Sequence, residues 1–168
     1  MATETLSTFE SSVGGAATIH RTTAESFADA VTEAIAEPAV GTPLSIPDVS
    51  LADTAVALDP SPAAIEAAAT GVTPATLGIA DYGTVTIPSD SAGSELVGLF
   101  PDRHVAVLAE SDLVPDVPTA YERLGEQFAA GADTQILATG PSSTADMGTL
   151  IQGVHGPSEI HLIVVEDR

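Results

Sequence analysis

The run from Val105 to Ala109 is apolar at every position. A strand of that kind must be covered on both faces, which excludes a sheet with one wet side and points to a layered α/β structure with helices against a parallel sheet. The flanking sequence supplies the helices. Val117, Tyr121, Leu124 and Phe128 recur at i, i+4, i+7 and i+11, so a helix is expected over Pro118 to Ala130, with Asp116 placed to cap it and Gly131 to end it. Ser61 followed by Pro62 opens a second helix through Ile65 to Ala69, stopping at Gly71. A third is expected over Thr22 to Glu37, where Thr22 and Glu25 have capping-box spacing and Phe27, Val31 and Ile35 form a stripe with Ala30 and Ala34. Strands are expected over Ala55 to Leu58, Ala75 to Ala80, Thr84 to Ile87, Arg103 to Ala109, Thr134 to Ala138 and Ile160 to Val165, with a loop through Pro38, Pro43 and Pro47. The fold class is therefore α/β, layered α/β/α around a largely parallel central sheet.

Thr139 to Pro157, TGPSSTADMGTLIQGVHGP, carries most of the functional signal. Small and hydroxyl residues follow a strand and lead into a short pattern read as helical. At such a junction the first backbone N–H groups of the helix lack intrahelical partners and can hold an anion. In open α/β sheets ligands sit beyond the carboxyl ends of strands. Two loops meet that description, Asp81 to Thr84 and Gly140 to Asp146. If they converge, Asp81, Asp146 and His155 would be the proton-moving groups, with Gly83, Thr84, Gly140, Ser142, Ser143 and Thr144 as anion ligands. Each has a plainer reading. Asp146 in a first helical turn complements the dipole, and His155 in the turn Gly153 to Pro157 bonds to a carbonyl. His104 and His161 lie in apolar strands and read as structural or edge residues, and His20 in a loop is uninformative. No pair of histidines stands at i, i+4 on a helix, so no metal is expected.

Three blocks resemble the LUD family of lactate-utilisation proteins: the segment above, GIADYGTVTI (Gly78 to Ile87) and LFPDRHVAVLAESDLVPDV (Leu99 to Val117). The resemblance implies the fold shared by glucosamine-phosphate deaminases, ribose-phosphate isomerases and coenzyme A transferases. It also implies a component of a system oxidising L-lactate to pyruvate, acting beside iron–sulfur partner proteins, without a cofactor of its own. The alternative is a stand-alone transferase or isomerase acting on a small anionic, phosphorylated or coenzyme A-linked substrate. Departures from the family pattern bear on that alternative. Asp81 stands where the family often has Glu, Ser143 where it has Arg, Gly148 where it has Glu, and Glu95 near a position often basic. Loss of the loop Arg removes a bidentate anion clamp, and the shorter carboxylate weakens a glutamyl-anhydride mechanism at Asp81.

Composition narrows the chemistry. The 168 residues hold 24 acidic against 4 basic side chains, all arginine, for a formal charge of −20, yet mean hydropathy is +0.27. That describes a foldable chain with an acidic skin, as expected of a halophilic host whose molar salt screens self-repulsion. The charge argues against nucleic acid or an anionic membrane as partner. Without cysteine the chain forms no disulfide, offers no thiol nucleophile and holds no iron–sulfur cluster alone; without lysine it makes no Schiff base. The opening MATETLSTFESSVGG lacks a signal-peptide pattern and no apolar run approaches the ~20 residues of a membrane span, so a cytoplasmic protein is expected. The domain reading is a flexible acidic segment over 1–21 and a single α/β domain over 22–168, with the apolar face of the helix over Thr22 to Glu37 open to its own sheet or to a second subunit.

Overall fold

The computed structural model describes residues 2–141, 143–146, 148–152 and 155–168. Helices are α1 (Ala2–Val13), α2 (Phe27–Ala34), α3 (Pro62–Ala67), α4 (Ser94–Leu99) and α5 (Val117–Ala129). Strands are β1 (Thr18–Thr22), β2 (Ala39–Gly41), β3 (Val56–Leu58), β4 (Thr70–Pro74), β5 (Leu77–Ile79), β6 (Thr84–Pro88), β7 (Arg103–Ala109), β8 (Leu113–Val114), β9 (Gln135–Ala138), β10 (Ser143–Asp146), β11 (Thr149–Gln152) and β12 (Glu159–Val165). A six-stranded sheet runs in the order β1-β12-β7-β4-β2-β3. All its pairings are parallel, so the α/β reading with a parallel central sheet holds.

The apolar run in β7 is covered on both sides, as its composition requires. Val105, Val107 and Ala109 face α2, meeting Phe27, Val31 and Ala34 together with Ile163 and Val165 of β12. Ala106 and Leu108 face the other way, meeting Phe9 and Val13 of α1 and Val85 and Ile87 of β6. This second face is roofed by α1 and by a four-stranded sheet of order β8-β5-β6-β9. The far side of that roof is closed by α5, whose Ala120 and Leu124 bury Leu77, Ile79 and Val114. Burying an aliphatic side chain of this size contributes roughly 1.5–3 kcal/mol, so these two faces of β7 and the α5 seam hold the layers together.

Two helices start where the sequence places them. Asp116 Oδ1 accepts from the Thr119 N–H at 2.9 Å, and Ser61 Oγ accepts from the Ala64 N–H at 3.2 Å, each satisfying one of the orphan donors of a first turn. Helix α4 was not anticipated, being six residues long behind a turn-like PSDSAG. Asp90 starts it, accepting from the Ser94 N–H at 3.0 Å and the Ser94 hydroxyl at 2.7 Å. It rides directly on β4. A Cβ at Gly71 would stand 1.8 Å from the Val97 carbonyl oxygen, so glycine there sets the helix–strand approach.

Four expectations are corrected. The segment over 1–21, expected to be flexible and acidic, carries α1 and most of β1: Leu6, Phe9 and Val13, at i, i+3 and i+7, are 2%, 0% and 5% exposed, and this stripe ties α1 to the core. The helix expected over Thr22 to Glu37 begins later, at Phe27, because Thr22 completes a strand paired with Val165. The strand expected over Ala75 to Ala80 is divided. β4 ends at Pro74 in the large sheet, β5 begins at Leu77 in the small one, and Ala80–Tyr82 forms a 3-10 turn. The helix expected after Thr139 is a β-hairpin, β10 pairing antiparallel with β11 from Ser143↔Gln152 to Asp146↔Thr149. Gly148, at φ +81°, sits in the two-residue turn between them, where a positive φ matches the strand twist.

Candidate functional site

Between the two sheets lies an open cleft of ≈ 190 Å³. Its apolar wall comes from Ile87 of β6, Leu99 of α4, Ile136 of β9 and Ile160 of β12; its polar groups are Glu95, His104, Thr139, Gly140 and His155. The sheet contributes His104 and Ile160, the second residues of β7 and β12. The cleft therefore sits at the amino ends of those two strands of the large sheet, while Thr139 and Gly140 reach it from the carboxyl end of β9. A narrow extension continues past His104, Thr139 and Gly140 to Gly83 and to Ser12 and Val13 at the end of α1.

His104 is 3% exposed. Its Nε2 lies 2.8 Å from the Thr73 hydroxyl, and α4 crosses its ring at Gly98, where an added Cβ would stand 3.2 Å from Nε2. Burial pushes its pKa down to about 4, since a charged imidazole would be stripped of water. At neutral pH it is an uncharged hydrogen-bonding group. Glu95, in the first turn of α4, accepts the Ser89 hydroxyl proton at Oε2. The residue types present (a carboxylate, a neutral imidazole, an exposed imidazole and a threonine hydroxyl) can orient a small ligand and move a proton.

Only part of the expected constellation comes together. Gly140 and His155 line the cleft, and Thr84 joins that wall through a 2.6 Å bond between its hydroxyl and that of Thr139. Gly83 reaches the extension at φ +60°, in contact with α1, where a Cβ would meet the Val13 nitrogen at 2.6 Å. Asp81 goes elsewhere. It is exposed and borders a separate depression with Glu4, Thr8 and Pro115, its N–H donating to the Pro115 carbonyl at 3.1 Å. Ser143, Thr144 and Asp146 lie in hairpin strand β10, so this stretch is strand and not the first turn of a helix. Ser142 falls outside the described residues.

Sequence reasoning passed over two residues of the cleft, Glu95 and His104. His104 was set aside as a strand histidine; the only hint was its place just ahead of the apolar run. The histidine of β1 was also underread. On the opposite, α2-facing side of the sheet, His20 and His161 stack with ring centroids 5.3 Å apart and an interplanar angle of 16°, Nε2 of one 3.0 Å from Nδ1 of the other. Burial lowers both pKa values, with Arg103 contributing in the same direction.

The arginines are all engaged away from the cleft. Arg21 pairs with Glu166 and Glu10, and Arg103 pairs with Glu159 while donating to the Ala34 carbonyl at 3.1 Å. Arg123 meets Asp112 at 3.1 Å, and Arg168 meets Asp48 at 3.1 Å and Asp167 at 3.4 Å.

Among known structures, the fold is similar to the crystal structure of a DUF162 family protein from Deinococcus radiodurans, with a TM-score of 0.74, 24% identity and 98% of each chain covered. In sequence, the chain is 32% identical over 105 residues to lactate utilization protein C of Oceanobacillus iheyensis, covering 60% of this chain and 45% of that one. It is 36% identical over 107 residues to the protein of that name from Bacillus licheniformis, covering 61% and 45%. It thus spans less than half the length of these relatives. Residues 62–165, more than half of the chain, match the LUD domain, and they contain β4 to β12 with the whole polar lining of the cleft; on that match the chain belongs to the LUD domain family.

Proposed function

We propose that this chain serves a lactate-utilisation system as the component that carries no cluster, beside iron–sulfur proteins that oxidise L-lactate to pyruvate. Two electrons leave lactate in that oxidation and must pass to a redox centre. Clusters are held by cysteine thiolates, and the 168 residues contain none. That absence, in a chain similar to proteins named lactate utilization protein C, is the observation that carries the reading. The acidic, lysine-free surface supports placing it in a salt-rich cytoplasm.

The cleft favours a second reading in one respect. Glu95, His104 and His155 around one cavity are groups of the kind an acid–base enzyme uses, which supports a stand-alone transferase or isomerase. A phosphorylated or coenzyme A-linked substrate would then have to bind without any of the four arginines.

Deletion of the gene in the native host tests the first reading. Growth on L-lactate as sole carbon source should be lost and return with the wild-type gene, and a tagged copy purified in molar salt should bring down cysteine-rich proteins in stoichiometric amount. Undiminished growth on lactate would overturn the reading, and recovery of the chain alone would move the weight to the second.

A further inference from the structure

The charge of the cleft specifies what it takes. An anionic ligand needs a fixed cation, a helix N-terminus or a cluster of donors to replace its hydration. The chain has no lysine, its four arginines sit in ion pairs elsewhere, the segment read as a helix start is a hairpin, and the start of α4 beside the cleft carries the carboxylates of Asp90, which already takes the Ser94 N–H, and Glu95. What faces the cavity instead is the Glu95 carboxylate, with Ile87, Leu99, Ile136 and Ile160 around it. An ionised carboxylate offers about four lone-pair sites, of which the Ser89 hydroxyl takes one. The imidazole deepest in the site is held neutral by burial and supplies no positive charge.

We propose that the cleft binds a small organic cation, a primary ammonium on a compact hydrocarbon body, with Glu95 as its counter-ion and the isoleucine and leucine wall around its body. The proposal rests on the reading of this cleft as a ligand site. The lactate anion itself is then not the occupant, in keeping with a component whose partners perform the oxidation.

Three probes sharing one body test it: n-butylammonium, n-butanol and n-butyrate. Each is titrated into the whole chain in molar KCl at about pH 8, where an ordinary imidazole is uncharged, and binding is followed by the NMR signals of His104 and His155. Butylammonium should bind at least tenfold more tightly than either of the others. Glu95→Gln should remove that advantage, while Glu122→Gln, an equal loss of charge on the exposed face of α5, should leave it intact. Butyrate or butanol binding as tightly as butylammonium would overturn the charge selection while leaving the cleft a ligand site. Shifts caused by none of the three would overturn both. The ranking of probes on the wild-type chain decides the matter even if Glu95→Gln does not fold.

Discussion

Acidification from pH 7 to pH 5 should cost the native state about 2 kcal/mol through His104 alone. Burial holds this imidazole's pKa at about 4 in the folded protein against 6.5 for an ordinary histidine. Between those values the unfolded chain binds a proton that the native state refuses, so stability falls with falling pH. The contribution is intact above pH 6.5. It declines by about 1.4 kcal/mol per pH unit below that, reaching roughly 3 kcal/mol by pH 4, after which both states are protonated and the loss stops. His20 and His161, whose pKa values are also lowered, push in the same direction. The assay must therefore be a difference. Denaturant unfolding of the wild type and of His104→Gln is measured at several pH values in constant molar salt. The substitution lowers stability at every pH by breaking the bond to Thr73, but the gap between the two proteins should narrow by about 2 kcal/mol from pH 7 to pH 5. Parallel curves, or an imidazole signal that titrates near 6.5, would refute the claim that His104 is a buried neutral group in the cleft.

Three other outcomes are expected. Phe9→Ala removes a side chain with no exposed surface and should cost about 3–5 kcal/mol; a near-neutral effect in thermal or denaturant unfolding would return α1 to the status of a loose end. Gly71→Ala drives a methyl group into the Val97 carbonyl and should cost at least about 1–3 kcal/mol, whereas Gly125→Ala, inside α5 with nothing within 4 Å of the new carbon, should stabilise by about 0.5–1 kcal/mol. Raising KCl from 0.1 M to molar concentration should increase the melting temperature, because screening the repulsion of a −20 chain outweighs the loss of a few surface ion pairs; a melting temperature that falls with salt would contradict the halophilic reading.

What could be read from the sequence was whatever a local pattern determines. β7 was legible because five consecutive apolar residues permit no other placement, and α5 because four apolar positions keep one helical face and Asp116 caps it. The hairpin after Thr139 was misread for the same reason. Its small and hydroxyl residues suit a helix start as well as a strand, and only pairing between β10 and β11 decides. Thr22 was assigned to a helix cap from its spacing to Glu25, but its backbone is claimed by Val165, a partner that local sequence cannot announce. The cleft follows the same rule. His155 and Gly140 stand in one conspicuous segment, while Glu95 and His104 arrive from α4 and β7, and only the crossing of α4 over β4 and β7 brings them together.

The order β1-β12-β7 places a late strand between two earlier ones. β1 has no neighbour in the large sheet but β12, and the stacked histidines that join them are 141 positions apart. At a synthesis rate of about 5–20 residues per second, β1 waits roughly 7–30 s for its partner, and β7, once made, presents an unpaired edge along its apolar run. On the ribosome this protein is therefore an unclosed sheet until its final strand slots in. That interval, rather than the finished fold, is when an edge of this kind invites pairing with another chain.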